Sequence, residues 1–289
     1  MGGGCYSYVR DCATKAGYVG ESCEQVFTAR HMSPDMNICG KVRECRDSDE
    51  HPTTYPIIIA LDVTGSMGSI PHNLITGGFP EIMKKIMDEG IEHPQVCFLG
   101  IGDDYYDEAP IQAGQFEASD ELLDYWLKSL WIEGGGGGND GESYQFVWWF
   151  AAHHTSTDHY EKRHKRGVLI TIGDEPTLKS ITKDSAKKFY GDDIQPVQIA
   201  ASDILALAQQ SWDVYHINVM DYSGSRKSVE ESWRAYLGDN YINTQSRDGK
   251  DIPAIIAGVV LKSFKGDDMP AKASEYSVEQ NGSANSHLL

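Results

Sequence analysis

The sequence has few of the features on which membrane insertion or nucleic-acid binding depends. Its apolar runs, such as residues 56–61 and 147–152, are far shorter than the ~20 residues that cross a bilayer. Basic residues are scarce, since 25 Lys and Arg stand against 43 Asp and Glu for a net charge of −18. Nucleic acids and anionic membranes are bound largely through clustered positive charge. We therefore expect no nucleic-acid partner and no membrane partner.

Closely paired cysteines and an export signal are missing as well. Five of the six cysteines lie within the first 45 residues, but none has the Cys-x-x-Cys spacing found in most zinc sites. Residues 1–6, MGGGCY, have neither the basic start nor the apolar stretch of a signal peptide. We therefore expect a cytoplasmic protein with free thiols, with a zinc site in this region as the alternative.

Composition divides the chain into three parts. Residues 1–54 are rich in glycine, cysteine and charge, with a short helix predicted near 21–30. We interpret them as an N-terminal extension that lies on a domain. Residues 55–265 alternate apolar runs with amphipathic stretches and form that domain. Residues 266–289 are small and polar, which predicts a flexible C-terminal tail.

Residues 55–265 carry the pattern of repeated strand–helix units. Short apolar runs predict strands at 57–61, 95–101, 112–117, 168–172, 214–219 and 241–243. Apolar residues at helical spacing predict helices at 71–89, 122–130, 144–153, 181–190, 199–210, 229–237 and 252–264. The repeated units predict an α/β fold with a mainly parallel central sheet and helices on both faces. Functional groups should then lie at the carboxyl ends of the strands.

Three polar segments fall where this sheet edge is expected. Residues 62–68 follow the first strand, and residues 173–176 follow the strand at 168–172. Residues 134–142, GGGGGNDGE, precede the helix at 144–153. Carboxylate and hydroxyl oxygens without clustered His or Cys favour Mg²⁺, or alternatively Mn²⁺ or Ca²⁺. The sequence therefore predicts one site for a hard divalent cation.

The first segment has a spacing that suits such a site. Asp62, Thr64 and Ser66 alternate along a tight turn, so that their oxygens can converge on one point. By itself the segment is equally consistent with a helix cap, because Ser and Thr often satisfy the first amides of a helix. Asp174 and Glu142, at neighbouring positions of the same edge, favour the metal site.

These residues resemble the von Willebrand factor type A (VWA) domain over residues 55–265. The resemblance rests on the Asp-x-Thr-x-Ser-Met run at 62–67, the glycine-rich acidic loop at 134–142 and the Gly-Asp pair at 173–174. In that family the three loops build a metal-ion-dependent adhesion site (MIDAS). The resemblance implies a three-layer, Rossmann-like fold. It also implies ion ligands at Asp62, Thr64 and Ser66, with Asp174 acting through water.

The second loop departs from the commoner family pattern, which has a Thr. The candidates here are Asn139, Asp140 and Glu142, of which Glu142 best fits the acidic version found in integrin β subunits. Asp62, Asp174 and Glu142 around a divalent ion leave one net negative charge. We therefore expect a firmly held ion that is partly structural or recognises a neutral or weakly acidic group.

The resemblance implies an intracellular binding module whose ion mediates a protein–protein contact or complex assembly. The partner protein would complete the metal shell with an acidic or polar oxygen. We expect no catalytic residue, because the pattern provides no His partner for Ser66.

The alternative is a Mg²⁺-dependent phosphohydrolase of the haloacid dehalogenase kind, with Asp62 as its nucleophile. That family resembles this chain in the Gly-Asp pair at 173–174. It requires further acids at the positions of Thr64 and Leu178, and these two departures favour the binding module. A purely structural subunit without a bound ion is a third possibility.

Overall fold

The computed structural model describes residues 4–135, 141–219, 227–245 and 249–266. The strands are β1 (Arg43–Cys45), β2 (Tyr55–Asp62), β3 (Pro94–Ile101), β4 (Ile111–Ala113), β5 (Thr155–Thr157), β6 (Gly167–Gly173), β7 (Ser180–Thr182), β8 (Gln198–Ala200), β9 (Trp212–Asn218) and β10 (Tyr241–Asn243). The α-helices are α1 (Tyr8–Ala16), α2 (Cys23–Val26), α3 (Ile70–Asn73), α4 (Phe79–Asp88), α5 (Asp120–Lys128), α6 (Tyr144–His153), α7 (Asp158–Glu161), α8 (Lys183–Ser185), α9 (Ala201–Ala208), α10 (Lys227–Leu237) and α11 (Ile252–Gly266). Short 3₁₀ helices lie at Gly65–Met67 and Gly238–Asn240, and π-helical turns at Leu74–Gly78 and Ala186–Tyr190.

The central sheet has the strand order β10-β9-β6-β2-β3-β4, and only its edge strand β4 runs antiparallel to its neighbour. The chain starts in the middle at β2, adds β3 and β4 on one side, and then adds β6, β9 and β10 on the other. The direction of winding therefore switches between β2 and β6, where open α/β sheets place their functional sites. The predicted Rossmann-like α/β fold is confirmed.

Both faces of the sheet are covered by helices. Alternate side chains of β2 enter different cores, because successive residues of a strand point to opposite faces. Ile57, Ile59 and Leu61 pack with residues of α4 and α11. Ile58 and Ala60 pack with residues of α6 and α9. All of β2 is buried, which explains why the strand is a continuous apolar run instead of an alternating one.

Helix α6 begins and ends where the sequence predicted. Its residues from Tyr144 to Ala151 are all buried, because the helix lies between the sheet and α9. A helix that is apolar on every side is expected in such an enclosed position. This helix also carries Tyr144 to the carboxyl edge of the sheet.

The predicted helix at 71–89 is interrupted at its two glycines. The chain forms α3, then the π-helical turn Leu74–Gly78, then α4. A Cβ on Gly78 would lie 2.6 Å from Cγ of Pro253. Glycine is therefore needed where α11 comes close to this turn.

Two of the helix predictions were wrong in part. Residues 181–190 begin in strand β7 and only then form α8 and a π-helical turn. The predicted helix at 199–210 begins in β8, which pairs with β7, and α9 ends at Ala208. The apolar residues of these short segments suit either structure, so spacing alone does not separate them.

Residues 4–54 pack along one side of the sheet. Strand β1 pairs in parallel with β5, and α1 contacts α4 and α5. The amide of Ala113 donates a 2.9 Å hydrogen bond to the carbonyl of Met36, and the Arg43 guanidinium donates a 2.7 Å bond to the carbonyl of Ala113. These bonds cover the edge strand β4, which would otherwise expose unpaired backbone groups.

Two further findings concern the whole chain. No helix in the described stretches is both long and apolar enough to cross a membrane. Apart from Gly266, which ends α11, the predicted tail lies outside the described residues.

Candidate metal centre

Asp62 is the last residue of β2, and its carboxylate is fully buried. Its Oδ1 accepts hydrogen bonds from the amide (2.8 Å) and the hydroxyl (2.6 Å) of Thr64. Its Oδ2 accepts a 2.7 Å bond from the hydroxyl of Tyr144. Burial raises the pKa of Asp62 to about 7, although the bonds from Thr64 and Tyr144 act in the opposite direction.

A continuous row of oxygens connects Asp62 with the end of β6. The hydroxyls of Thr64 and Ser66 lie 3.3 Å apart, and the Ser66 hydroxyl donates a 2.9 Å bond to Oδ1 of Asp174. Asp62 and Thr64 are buried, whereas Ser66 is exposed. The structure thus brings the first and third polar segments together, in a row that runs from the core to the surface.

The second polar segment approaches the first through its backbone. The amide of Gly65 donates to the carbonyl of Gly135 (3.1 Å), and the amide of Gly134 donates to the carbonyl of Val63 (3.2 Å). A Cβ on Gly65 would lie 3.1 Å from the carbonyl oxygen of Gly134, so glycine permits this close approach. Of the candidates in this segment, Asn139 and Asp140 lie outside the described residues.

Glu142 is joined to the third segment by two backbone bonds. Its amide donates to the carbonyl of Pro176 and its carbonyl accepts from the amide of Leu178, each over 2.9 Å. The side chain is only 4% exposed, and its Oε2 has no hydrogen-bond partner among the described residues. Burial, followed by the charges of nearby acids of which Asp62 contributes most, raises the pKa of Glu142 to about 9. Glu142 thus lies near the row of oxygens, although no hydrogen bond joins it to the other predicted ligands within the described parts of the chain.

Tyr144 is a site residue that the sequence pattern did not identify. Its ring is fully buried in edge-to-face contact with His216 and Trp233, and its hydroxyl reaches Asp62. A Cβ on Gly173 would lie 1.8 Å from that hydroxyl oxygen, so only glycine fits there. Burial and the charge of Asp62 raise the pKa of Tyr144 well above its usual value, and the phenol stays a hydrogen-bond donor. A sequence feature that indicates this contact is Gly173, which the sequence pattern explained only as the first residue of the Gly-Asp pair at 173–174.

The chemistry of these donors suits a hard divalent cation. Within residues 4–135, 141–219, 227–245 and 249–266, no three His, Cys, Asp or Glu side chains form a group that could hold a metal ion. A site here would therefore depend on the hydroxyls of Thr64 and Ser66 together with carboxylates, a set that Mg²⁺ accepts and Zn²⁺ does not favour. Asp62 and Glu142 are buried acids whose pKa values are raised chiefly by burial and also by neighbouring negative charge. A divalent ion beside them would supply compensating positive charge.

Comparisons with known proteins are distant. No model of a protein family matches the chain, and no curated protein matches it. Among solved structures, the pilus adhesin SpaC from Lactobacillus rhamnosus GG is 12% identical, with a TM-score of 0.49 over 78% of this chain and 31% of the adhesin. The chain thus spans about a third of that adhesin's length.

Two further solved structures match the chain over most of their own length. The vWF domain of the type V pili tip protein Mfa5 from Porphyromonas gingivalis is 10% identical, with a TM-score of 0.45 over 76% of this chain and 97% of that one. An aerotolerance-related membrane protein from Bacteroides fragilis is 13% identical, with a TM-score of 0.40 over 72% and 99%. All three TM-scores lie below 0.5, and we assign the fold from the strand order of the central sheet and describe the site from its own geometry.

Proposed function

We propose that this chain is a VWA-type binding module that holds Mg²⁺ in a MIDAS-type site, and that the ion completes a contact with another protein. The observation that carries the proposal is the row of oxygens from Asp62 through Thr64 and Ser66 to Asp174. These side chains come from two segments separated by about half the domain, yet they meet at the point where the winding of the sheet switches. Metal sites of hard oxygen ligands need such convergence.

Each residue has a distinct part in this proposal. Asp62 anchors the ion from the core, with its carboxylate oriented by Tyr144 and Thr64. Ser66 supplies a hydroxyl at the surface, where the partner would approach. Asp174 holds that hydroxyl in place. A bound Mg²⁺ would offer a coordination position to an oxygen of the partner protein.

The same contacts support binding over phosphoryl transfer. A phosphohydrolase of the haloacid dehalogenase kind needs a general acid two residues after its nucleophile. Thr64, at the position where dehalogenases place an acid, donates to Asp62 instead. We therefore propose no catalytic step, and hydrolysis of a simple phosphate ester with Mg²⁺ that Asp62→Asn abolishes would reverse this choice.

We also propose that the protein acts in the cytoplasm. All six cysteines fall within the described residues, and all are free thiols. Cys45 and Cys97 are buried, whereas Cys5 and Cys39 are exposed. Exposed unpaired thiols are typical of a reducing compartment.

The test of the metal site is thermal unfolding with Mg²⁺, Mn²⁺ or a chelator. An ion that binds only the folded state at 100 times its Kd stabilises that state by about 2.7 kcal/mol. The wild type should melt higher with Mg²⁺ than with chelator, and Ser66→Ala should reduce this difference. Ser69→Ala is the matched control, because Ser69 is also exposed and lies three residues away. Equal melting temperatures with ion and chelator in the wild type would refute the site.

A further test addresses the protein partner. Affinity capture with and without chelator, on the wild type and Ser66→Ala, should recover a partner only from the wild type with the ion present. Recovery of the same partner in chelator would show that the ion does not complete the contact.

A further inference from the structure

A second feature lies beside the candidate metal centre, in the loop that follows β3. The amide of Asp104 donates a 2.9 Å bond to the hydroxyl of Ser143, and the amide of Ser143 donates a 3.0 Å bond to the carbonyl of Gly102. Ser143 directly follows Glu142. The loop is therefore fixed within one residue of a candidate ligand.

This loop presents two tyrosines to solvent. Tyr105 is 70% exposed and Tyr106 is 58% exposed. The turn beneath them is held by Asp103, whose Oδ1 accepts from the Tyr105 amide and whose amide donates to Oδ2 of Asp107. Tyrosine is enriched in protein interfaces and among the few residues that contribute most of the binding energy.

Negative charge surrounds these tyrosines and the oxygen row. Asp104, Glu108 and Glu133 form no ion pair with Lys or Arg in the part of the chain that the structure describes. Among the described residues, Lys188 forms no ion pair with Asp104, but its positive charge favours the ionised Asp104 carboxylate from a distance. Glu142 also keeps its buried Oε2 without a hydrogen-bond partner, as described above. A divalent ion would offset only part of this charge, so the edge stays negative with the ion in place.

We propose that the segment of the partner protein that meets the ion is basic, with Lys or Arg side chains on either side of the oxygen it gives to the ion and resting on Tyr105 and Tyr106. This inference rests on the proposed metal site. A cation over a tyrosine ring is attracted by the negative face of the ring, also at an exposed position. The surrounding acids steer a basic segment to the edge and repel an acidic one. The exposed tyrosines therefore serve as a platform for cations next to the ion.

Three fluorescent heptapeptides test this inference. Each has a central Asp, flanked by Lys, by Ser or by Glu in an otherwise glycine peptide. With Mg²⁺ present, fluorescence polarisation should show that the Lys-flanked peptide binds about tenfold more tightly than the Ser-flanked one, as about 1.4 kcal/mol of cation contacts would produce. The Glu-flanked peptide should bind most weakly.

Matched variants separate the platform from general attraction to an acidic protein. Tyr105→Ser with Tyr106→Ser should remove the advantage of the Lys-flanked peptide, whereas Tyr125→Ser, at a half-exposed tyrosine of α5, should keep it. Glu108→Gln should weaken binding of that peptide more than Asp49→Asn, which removes the same charge from an exposed residue ahead of β2.

The outcomes distinguish this inference from the metal site itself. If Mg²⁺ raises the melting temperature but the Ser-flanked or Glu-flanked peptide binds as well as the Lys-flanked one, the metal site stands and the basic partner is wrong. If the Lys-flanked peptide binds equally well in chelator, the ion has no part in the contact and the inference is also wrong. If Mg²⁺ has no effect on the melting temperature, the proposed metal site is wrong, and this inference, which rests on it, is wrong as well.

Discussion

The hydroxyl of Tyr144 donates a 2.7 Å hydrogen bond to Oδ2 of Asp62, and so joins the first residue of α6 to the last residue of β2. Both side chains are fully buried. An aspartate without cationic partners is costly in such a place, and hydrogen bonds to its charged form offset part of that cost. The bond also fixes the direction of the carboxylate that we propose as the anchor of the ion.

Removing this hydroxyl should cost stability. In Tyr144→Phe, Oδ2 of Asp62 loses the hydrogen bond described here, and we expect the free energy of unfolding to fall by about 1–3 kcal/mol. Urea unfolding in chelator measures the change. Tyr160→Phe is the control, because Tyr160 is only partly buried, and it should change stability by less than about 0.5 kcal/mol. A Tyr144→Phe protein as stable as the wild type would show that this bond contributes little.

The fit of Tyr144 against Gly173 leads to a second prediction. In Gly173→Ala the new methyl group would meet the Tyr144 hydroxyl, which is buried and hydrogen-bonded and so has little room to move. We expect a loss of about 1–3 kcal/mol or more, as for overpacked cores. Gly258→Ala is the control, because a Cβ there meets nothing within 4 Å. Gly258 lies inside α11, so that variant should gain about 0.5–1 kcal/mol.

Glu142 should make the protein without its ion less stable as pH rises. The folded-state pKa of about 9 lies above the ordinary value of 4.5, so stability is fully present below pH 4.5 and is lost as pH rises through about 9. Glu142→Gln removes the ionisation, so in chelator it should melt higher than the wild type at pH 8–9. It should also gain less from Mg²⁺. Melting temperatures between pH 5 and 9 measure both effects, with the exposed Glu108→Gln as control. Parallel pH profiles of wild type and Glu142→Gln would contradict the prediction.

Asp47 should make the protein less stable as pH falls, which is the opposite pH dependence to that of Glu142. Burial acts to raise its pKa, but hydrogen bonds from Arg163 and Thr54 outweigh burial and lower it to about 2. Because 2 lies below the ordinary value of 3.8, the stabilisation is present above pH 3.8 and is lost as pH falls through about 2. Asp47→Asn should therefore lower stability at pH 6 and flatten its decline in acid. Urea unfolding at pH 6 and pH 3, with Asp49→Asn as control, tests this. An unchanged acid decline in Asp47→Asn would assign it to other carboxylates.

The central strand β2 and helix α6 could be predicted because their residues are apolar and are stable only when buried. The apolar run of β2 and the all-apolar helix α6 must be buried on every side, so their type and position follow from composition. Helix α1 could not be predicted in this way. Its buried residues are Asp11 and Lys15, a charged pair completed by Asp124 more than a hundred positions away. A helix whose buried side chains are charged has no apolar stripe to identify it.

Only those residues of the candidate site that lie at strand ends could be predicted from the sequence. Ser66 and Asp174 follow adjacent parallel strands, so their contact could be expected from the fold alone. The bond from Tyr144 could not, because its position at the start of an apolar helix is equally typical of a core residue. Whether Asp62 ligates an ion stays a prediction for the metal-binding measurements.

The dipeptide Glu142–Ser143 has a practical consequence for engineering this protein. Its backbone bonds reach the loop after β3 through Gly102 and the loop after β6 through Pro176, while the next residue holds Asp62 at the end of β2. Residues 142–144 thus hold the ends of β2, β3 and β6 in fixed positions relative to one another. Lengthening or shortening the chain here by one amino acid would misalign all of them together, so grafting a new specificity onto this rim should proceed by side-chain exchange at a fixed loop length.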